Sequence, residues 1–246
     1  MPDKKVLVGV VLDETGSMQF IKDRTISCFN EYLTGLYPRG KSCHMTLIKF
    51  NSAKTDMLCN NVPVKDVPKL TQENYQPKHS TPLFDAVGAA IMSIKTQIDK
   101  MSEKIDVLFV VITDGEENDS RQYNREKVVD LIKEQEKAGW TFAYLGANQD
   151  SWKSASSLGY THAASVADFN ADDNGVTAAI NNLASSTNQY FIRRDLYYSG
   201  MSKGMASASS YQDTAFFGDV DKEGLDSVIG KQKTKKERKG NVWSQS

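Results

Sequence analysis

Five oxygen-bearing side chains stand where the sequence changes character. Asp13 closes an aliphatic run over residues 5–12, and Thr15 and Ser17 follow it at two-residue steps in DETGSM. Asp114 closes a second such run, residues 105–113, in TDGEEND. Thr81 stands apart, directly before Pro82 and a helical pattern. Two carboxylates and three hydroxyls, with no thiolate or imidazole among them, form a donor set for a hard divalent cation. Mg²⁺ takes about six oxygens at roughly 2.0–2.1 Å and usually keeps some of its waters. Two carboxylates balance its charge, and neutral hydroxyls fill positions without over-binding it. Such an all-oxygen set points to Mg²⁺, Mn²⁺ or Ca²⁺ over Zn²⁺. Fewer protein ligands than coordination positions leaves room for an external carboxylate. Taken singly, each residue has a plainer reading: Ser17 caps the first helix, Thr81 caps the second, and Asp13 is a turn acid.

The five can act together only if the intervening chain brings them to one edge. Residues 5–12 and 105–113 are continuous β-branched runs, the pattern of strands buried on both faces of a parallel sheet. Ile21, Thr25, Cys28, Phe29, Tyr32, Leu33 and Leu36 recur at helical intervals and stop at Pro38–Gly40. Residues 44–50 alternate as a second strand. A turn at 51–55 and a short link make 56–64 its antiparallel neighbour, and Pro63 and Pro68 place that strand at an edge. Thr81 as N-cap with Pro82 at the first helical position starts a helix carrying Leu83, Val87, Ile91, Ile94, Ile98 and Met101. Val128, Leu131, Ile132 and Gln135 mark another, ended by Gly139. A short strand over 141–145, a helix over 150–158, a weak strand over 161–166 and a helix over 175–190 complete the pattern. This alternation, to about Ile192, predicts an α/β fold with a mostly parallel, doubly wound six-stranded sheet and helices on both faces. In such sheets ligands bind beyond the carboxyl ends of the strands, at the point where strand order reverses. If the strands ending in Asp13 and Asp114 are neighbours, the two acids face each other there.

The set Asp13-x-Thr15-x-Ser17, a distant Thr81 before a helix, and Asp114 in TDG resembles the metal ion-dependent adhesion site of von Willebrand factor type A domains, whose pattern is D-x-S-x-S, a distant T and a distant D. The resemblance covers about residues 4–192 and departs once, with Thr15 where Ser is usual; the hydroxyl survives. It implies a strand order of 3-2-1-4-5-6. It also implies metal ligation by Ser17 directly, by Asp13 directly or through water, by Thr81 directly or through water according to state, and by Asp114 mostly through water, with Thr15 in the same loop. Family members use the open position to take an Asp or Glu from a protein partner and are not generally enzymes. The expectation is therefore a Mg²⁺-dependent protein–protein interaction module.

Composition agrees with a globular domain: of 246 residues, 39 % are hydrophobic and 25 % charged. A net charge of −1 gives no global basic field for nucleic acid. The charge is uneven, however. Residues 231–239 hold six basic side chains and one acid, which leaves 24 basic and 30 acidic residues on the body. The metal-binding domain is expected over 1–192, and 193–246 as a Gly/Ser-rich extension with a basic, partly disordered tail. Nucleic acid is a possible partner for that tail alone, through residues 231–239. Cys28, Cys43 and Cys59 are odd in number and widely spaced, which argues against a disulfide framework or a zinc knuckle. There is no signal-peptide shape and no run near the roughly 20 apolar residues of a membrane span, so a soluble, cytoplasmic protein is expected. The rival reading as a Mg²⁺-dependent phosphatase or hydrolase with Asp13 as nucleophile lacks the second acid of D-x-D and an evident general-base histidine. No nucleotide-binding glycine motif is present. Glu14, Glu116, Glu117, Asn118 and Asp119 read as a solvated acidic loop, and Tyr190, Phe191, Tyr197, Tyr198, Phe216 and Phe217 as packing residues or residues that order when a partner docks.

Overall fold

Strand β1 (Val6–Asp13) is buried along its whole length, and its alternate residues serve two different layers. Val6, Val8, Val10 and Leu12 face helices α1 (Lys22–Leu36) and α4 (Asp173–Met201), where Phe29, Tyr32, Leu33, Ile180 and Leu183 meet them. Leu7 and Val11 face α2 (Leu83–Ile98) and α3 (Arg125–Lys137), against Leu83, Val87, Ile91, Ile94, Val128 and Ile132. Period-two side chains on a strand covered by helices on both faces give this pattern of continuous apolarity. Gly9 lets α2 come close: a Cβ there would lie 2.6 Å from the Ile94 side chain. This computed structural model describes residues 5–147, 155, 156, 158, 165–201, 216 and 217.

The sheet has six strands in the order β3-β2-β1-β4-β5-β6. The remaining strands are β2 (Cys43–Asn51), β3 (Lys54–Pro63), β4 (Asp106–Thr113), β5 (Thr141–Ala147) and β6 (Val166–Phe169). All neighbours are parallel except the edge pair β2–β3. The α/β doubly wound reading and the order 3-2-1-4-5-6 are thus found, as is the edge position of the proline-bearing strand. Strand order reverses between β1 and β4. Asp13 lies opposite Phe50 on β2, and Leu12 opposite Ile112 on β4, so Asp13 and Thr113 end their strands side by side.

Two expectations need correction, and a third falls largely outside the described residues. The weak strand over 161–166 is β6 at Val166–Phe169, with 161–164 outside the described residues. The helix over 150–158 lies largely outside them too. The last helix does not end near Tyr190: α4 runs on to Met201, across the expected boundary at 192. Two contacts beyond that boundary explain the continuation. Arg194 donates to the buried Asp106 carboxylate at 2.7 Å, and the Tyr198 hydroxyl donates to the other oxygen at 2.9 Å. Phe216 is buried in the same core as α1 and α4. A Gly/Ser-rich composition hid these anchors because one ion pair and one aromatic ring carry no periodicity. Among the described residues no helix is long and apolar enough to cross a membrane.

Candidate metal centre

The chain leaves β1 through a loop tied down at every residue. The Glu14 amide donates to the Phe50 carbonyl at 2.9 Å, and the Gly16 amide to the His79 carbonyl at 2.9 Å. The Lys78 amide in turn donates to the Glu14 carbonyl at 2.9 Å. The buried Tyr75 hydroxyl donates to the Asp13 carbonyl at 2.7 Å. The Asp13 carboxylate folds back on its own loop, accepting from the Thr15 amide at 2.7 Å, an Asx turn. Its other oxygen accepts from Thr113 Oγ1 at 2.6 Å. A Gly16–Ile21 3-10 segment follows, with Thr15 at its N-cap position, and Thr15 Oγ1 and Ser17 Oγ stand 3.3 Å apart. Ser17 Oγ donates across the strand gap to Asp114 Oδ1 at 2.5 Å.

The opposite wall is built differently. The loop after β4 caps the start of α2. Glu117 accepts from the Phe84 amide at 2.7 Å, and Ser120 Oγ from the Asp85 amide at 3.0 Å. Glu117 also closes its own loop, accepting from the Asp119 and Ser120 amides and the Ser120 hydroxyl. Asn118 and Thr81 bond reciprocally: the Thr81 amide donates to Asn118 Oδ1 at 2.8 Å, and the Asn118 amide to the Thr81 carbonyl at 3.1 Å. Asp85 answers from the helix, accepting from the amides of Arg121, Gln122 and Tyr123.

These contacts correct one expectation and remove one of the plainer alternatives. Thr81 is not the N-cap of α2; Pro82 holds that position, and no side chain of the segment itself caps the helix. Ser17 likewise caps no helix and is spent on Asp114. With the orphan amides of α2 met from another loop, the Thr81 hydroxyl is left to face the site. A Cβ built on Gly115 would lie 2.9 Å from Thr81 Oγ1 and 3.6 Å from Ser17 Oγ. Gly115 therefore sits in the cradle between them, and the lack of a side chain keeps it open. Asp13, Thr15, Ser17, Thr81 and Asp114 are thus gathered at one edge, at the reversal of strand order.

The floor of this cradle is dry and its lip is wet: Asp13, Thr15 and Thr81 are buried, Ser17 is exposed and Asp114 half-buried. Burial pushes the Asp13 carboxyl up to about 6, against the opposing hydrogen bonds from Thr113 and Thr15, and the nearby Asp114 charge pushes the same way. Asp114 is also raised by burial, partly offset by the Ser17 hydroxyl. Two carboxyls held above their ordinary range by lost hydration are stabilised as anions when a cation replaces the missing water. Neutral hydroxyls beside them can complete its shell. The set fits a hard divalent ion, and among the described residues no group of three or more His, Cys, Asp or Glu offers a softer alternative.

Several residues at the centre escaped sequence reasoning or were misread. Glu14 is buried, pairing with the buried Lys49 at 2.8 Å and accepting from the Gln76 amide at 2.6 Å. Lys49 also donates to the Asn74 carbonyl. Glu117 and Asn118 are structural caps as well as rim residues, Glu117 half-buried and Asn118 exposed. Thr113 and Tyr75 hold Asp13 from either side. One signal was available: a lysine among apolar residues in the middle of a strand pattern requires an acid, and Glu14 is the acid at that end of the neighbouring strand.

Comparison with known proteins bears on the fold. The model of the von Willebrand factor type A domain matches residues 8–192. No curated protein matches the chain. Among solved structures, proximal thread matrix protein 1 of the mussel byssus is similar with a TM-score of 0.56 at 13 % identity, over 73 % of this chain and 47 % of that one. The same protein has been solved with a zinc-occupied MIDAS motif, at a TM-score of 0.55. The pilus adhesin SpaC of Lactobacillus rhamnosus GG gives 0.55 at 12 % identity, over 75 % and 30 % of the two chains. Manganese-loaded TRAP of Plasmodium vivax gives 0.50 at 16 % identity, over 72 % of each. The chain spans about half the length of the mussel protein. At these identities the likeness is one of fold.

Proposed function

The chain belongs to the von Willebrand factor type A domain family, and from that premise we propose that Asp13, Thr15, Ser17, Thr81 and Asp114 hold a divalent cation that engages an Asp or Glu of a protein partner. The observation that carries this reading is the Ser17–Asp114 hydrogen bond, which joins the β1 loop to the end of β4 and closes the five side chains into one oxygen-lined cradle. When bound, the cation supplies a Lewis-acidic position for an external carboxylate. Asp13 and Asp114 would balance its charge, and the three hydroxyls would orient it. Mg²⁺ is the proposed ion, with Mn²⁺ or Ca²⁺ as substitutes. The zinc- and manganese-loaded neighbours support a divalent ion without choosing among them.

The site is read as a binding site and not as a catalytic centre. Both Asp13 oxygens are already hydrogen-bonded within the fold, which favours holding a cation over attack on a phosphoryl group. The unit that binds is taken to include all of α4 and Phe216, beyond the boundary expected at 192. Three free, buried cysteines support a reducing, cytoplasmic setting. Isothermal titration of Mg²⁺ and Mn²⁺ into the wild type and Asp13→Ala tests the reading. Saturable binding that is lost in the variant is expected. Equal heats from the two proteins, or none from either, would remove the cation from the proposal.

A further inference from the structure

One side chain at the lip has no role in the fold. Phe20 is 92 % exposed, whereas the other exposed large hydrophobics among the described residues, Met57, Met92 and Leu196, lie at 40–42 %. It sits on the Gly16–Ile21 3-10 segment, where side chains three apart eclipse each other. Met18 and Ile21 share one face of that segment and are buried in the core. Ser17 and Phe20 share another and are exposed. Ser17 bonds Asp114, so its face of the segment is the face of the cradle. The ring therefore stands one 3-10 turn, about 6 Å along the axis, from a proposed metal ligand.

We propose that Phe20 is a specificity determinant of this site: the protein segment that offers a carboxylate to the cation also lays a neighbouring apolar side chain on the Phe20 ring. The proposal rests on the carboxylate-receptor reading and deepens it by naming the partner's chemistry. The charge of the cradle selects the acid. The ring selects its neighbour, and phenylalanine has no polar tip to ask for a hydrogen bond. Its main return on contact is burial of apolar area, and aromatic anchors of this kind carry much of the affinity of small interfaces. A lysine or arginine over the ring would be the weaker match, because phenylalanine is not the best of the aromatic faces for a cation.

Selection of short random peptides displayed on phage tests this. The whole chain is used in Mn²⁺, with elution by a chelator, for wild type, Phe20→Leu, Phe20→Ser and Asp13→Ala. Calorimetry with Mn²⁺ and a thermal melt verify that the Phe20 variants fold and bind the ion as wild type does, as expected for a side chain outside both core and cradle. The expected result is an enriched Asp or Glu with an adjacent aliphatic or aromatic residue on wild type and Phe20→Leu. On Phe20→Ser the acid persists, the apolar preference disappears, and a wild-type-selected peptide binds about tenfold more weakly. Enrichment of the acid with no apolar neighbour, with a basic neighbour, or with the same apolar neighbour on Phe20→Ser would overturn the role of Phe20 alone. No chelator-eluted peptide, or the same peptides on Asp13→Ala, would overturn the carboxylate-receptor reading and this proposal with it.

Discussion

Asp13 and Asp114 end neighbouring strands, yet the two walls of the cradle are held by different means. The Asp13 wall is fastened through main-chain bonds to β2 and to residues 75–79, and it rests on the buried Glu14–Lys49 pair and the buried Tyr75. The Asp114 wall is fastened by side chains: Glu117, Asn118, Ser120 and Asp85 exchange hydrogen bonds between the β4 loop and α2. The first wall is part of the sheet. The second is a loop and a helix end clamped into one body, which carries Thr81 and Asp114 together. Only Ser17–Asp114 and Asp13–Thr113 among these bonds cross between the two carboxylates' surroundings. A site so divided has a rigid half that sets position and a clamped half whose geometry depends on a few exposed polar groups.

The sharpest way to break the comparison is to strike beneath the first wall. Lys49→Met leaves Glu14 charged, buried and without its cation. Breaking a buried pair from one side costs about 3–5 kcal/mol, so unfolding in denaturant should show a loss of that order. A Lys49→Met/Glu14→Gln double variant should recover part of it, because the uncompensated charge is gone. A loss below about 1 kcal/mol, the range of exposed pairs, would show that the pair is not the foundation its burial implies.

A second measure is the pH dependence of the metal-free protein. Asp13 has its folded pKa raised to about 6 from an ordinary 3.8, chiefly by burial. The folded state therefore binds more protons than the unfolded state between those values. The stability this group contributes is fully present below 3.8 and is lost as pH rises through about 6. The shift corresponds to about 3 kcal/mol. Chelator-treated wild type should lose roughly that much, relative to Asp13→Asn, on going from acid to neutral pH. Asp114, raised by the same cause, tilts the curve in the same direction. Saturating Mg²⁺ at neutral pH should restore the wild type and leave Asp13→Asn unmoved. Parallel pH curves for the two chelated proteins would refute the desolvated carboxylate.

The clamp of the second wall should respond more mildly. Glu117→Ala removes an acceptor of helix and loop amides, and losses of capping groups cost about 0.5–2 kcal/mol. Asn118→Ala frees the Thr81 amide, while the main-chain bond from residue 118 to the Thr81 carbonyl remains. Partners that orient ligands are worth about 10- to 100-fold in metal affinity. For Asn118→Ala, calorimetry should therefore show weaker Mn²⁺ binding with only a small fall in melting temperature. Stability loss with unchanged Mn²⁺ affinity would make the clamp structural alone.

The two walls also differed in how far they could be read from sequence. Asp13, Thr15 and Ser17 are local, and their motif needs only a strand end to be recognised. Thr81 and Asp114 became legible once the alternation of helices and strands implied a parallel sheet with β1 beside β4. The clamp stayed hidden because Glu117 and Asn118 look like any acidic loop until the amides they meet are seen. Thr81 was misassigned as a cap for the same reason: Thr-Pro before a helical pattern is a sound local signal, and a distant loop supplied the cap in its place. The reach of α4 to Met201 depended on Arg194 finding Asp106 across the sheet, a long-range ion pair without a local signature.

The smallest expected effect concerns the one departure from the family pattern, Thr15 in place of the usual serine. Thr15 is 1 % exposed, so its methyl group is packed, and its hydroxyl stands 3.3 Å from that of Ser17. If the hydroxyl is what the site uses, the methyl group contributes packing alone. Thr15→Ser should then lose about 0.8 kcal/mol of stability, the value of one buried methylene-sized group, with Mn²⁺ affinity nearly unchanged. Thr15→Val makes the opposite exchange, keeping the branched shape and removing the oxygen. It should melt close to wild type or lower, since a buried polar contact is lost, and it should bind Mn²⁺ much more weakly than Thr15→Ser. Calorimetry on the pair decides between oxygen and shape. If Thr15→Val binds as well as Thr15→Ser, residue 15 only shapes the loop, and the ion is held from the first wall by Asp13 and Ser17 alone.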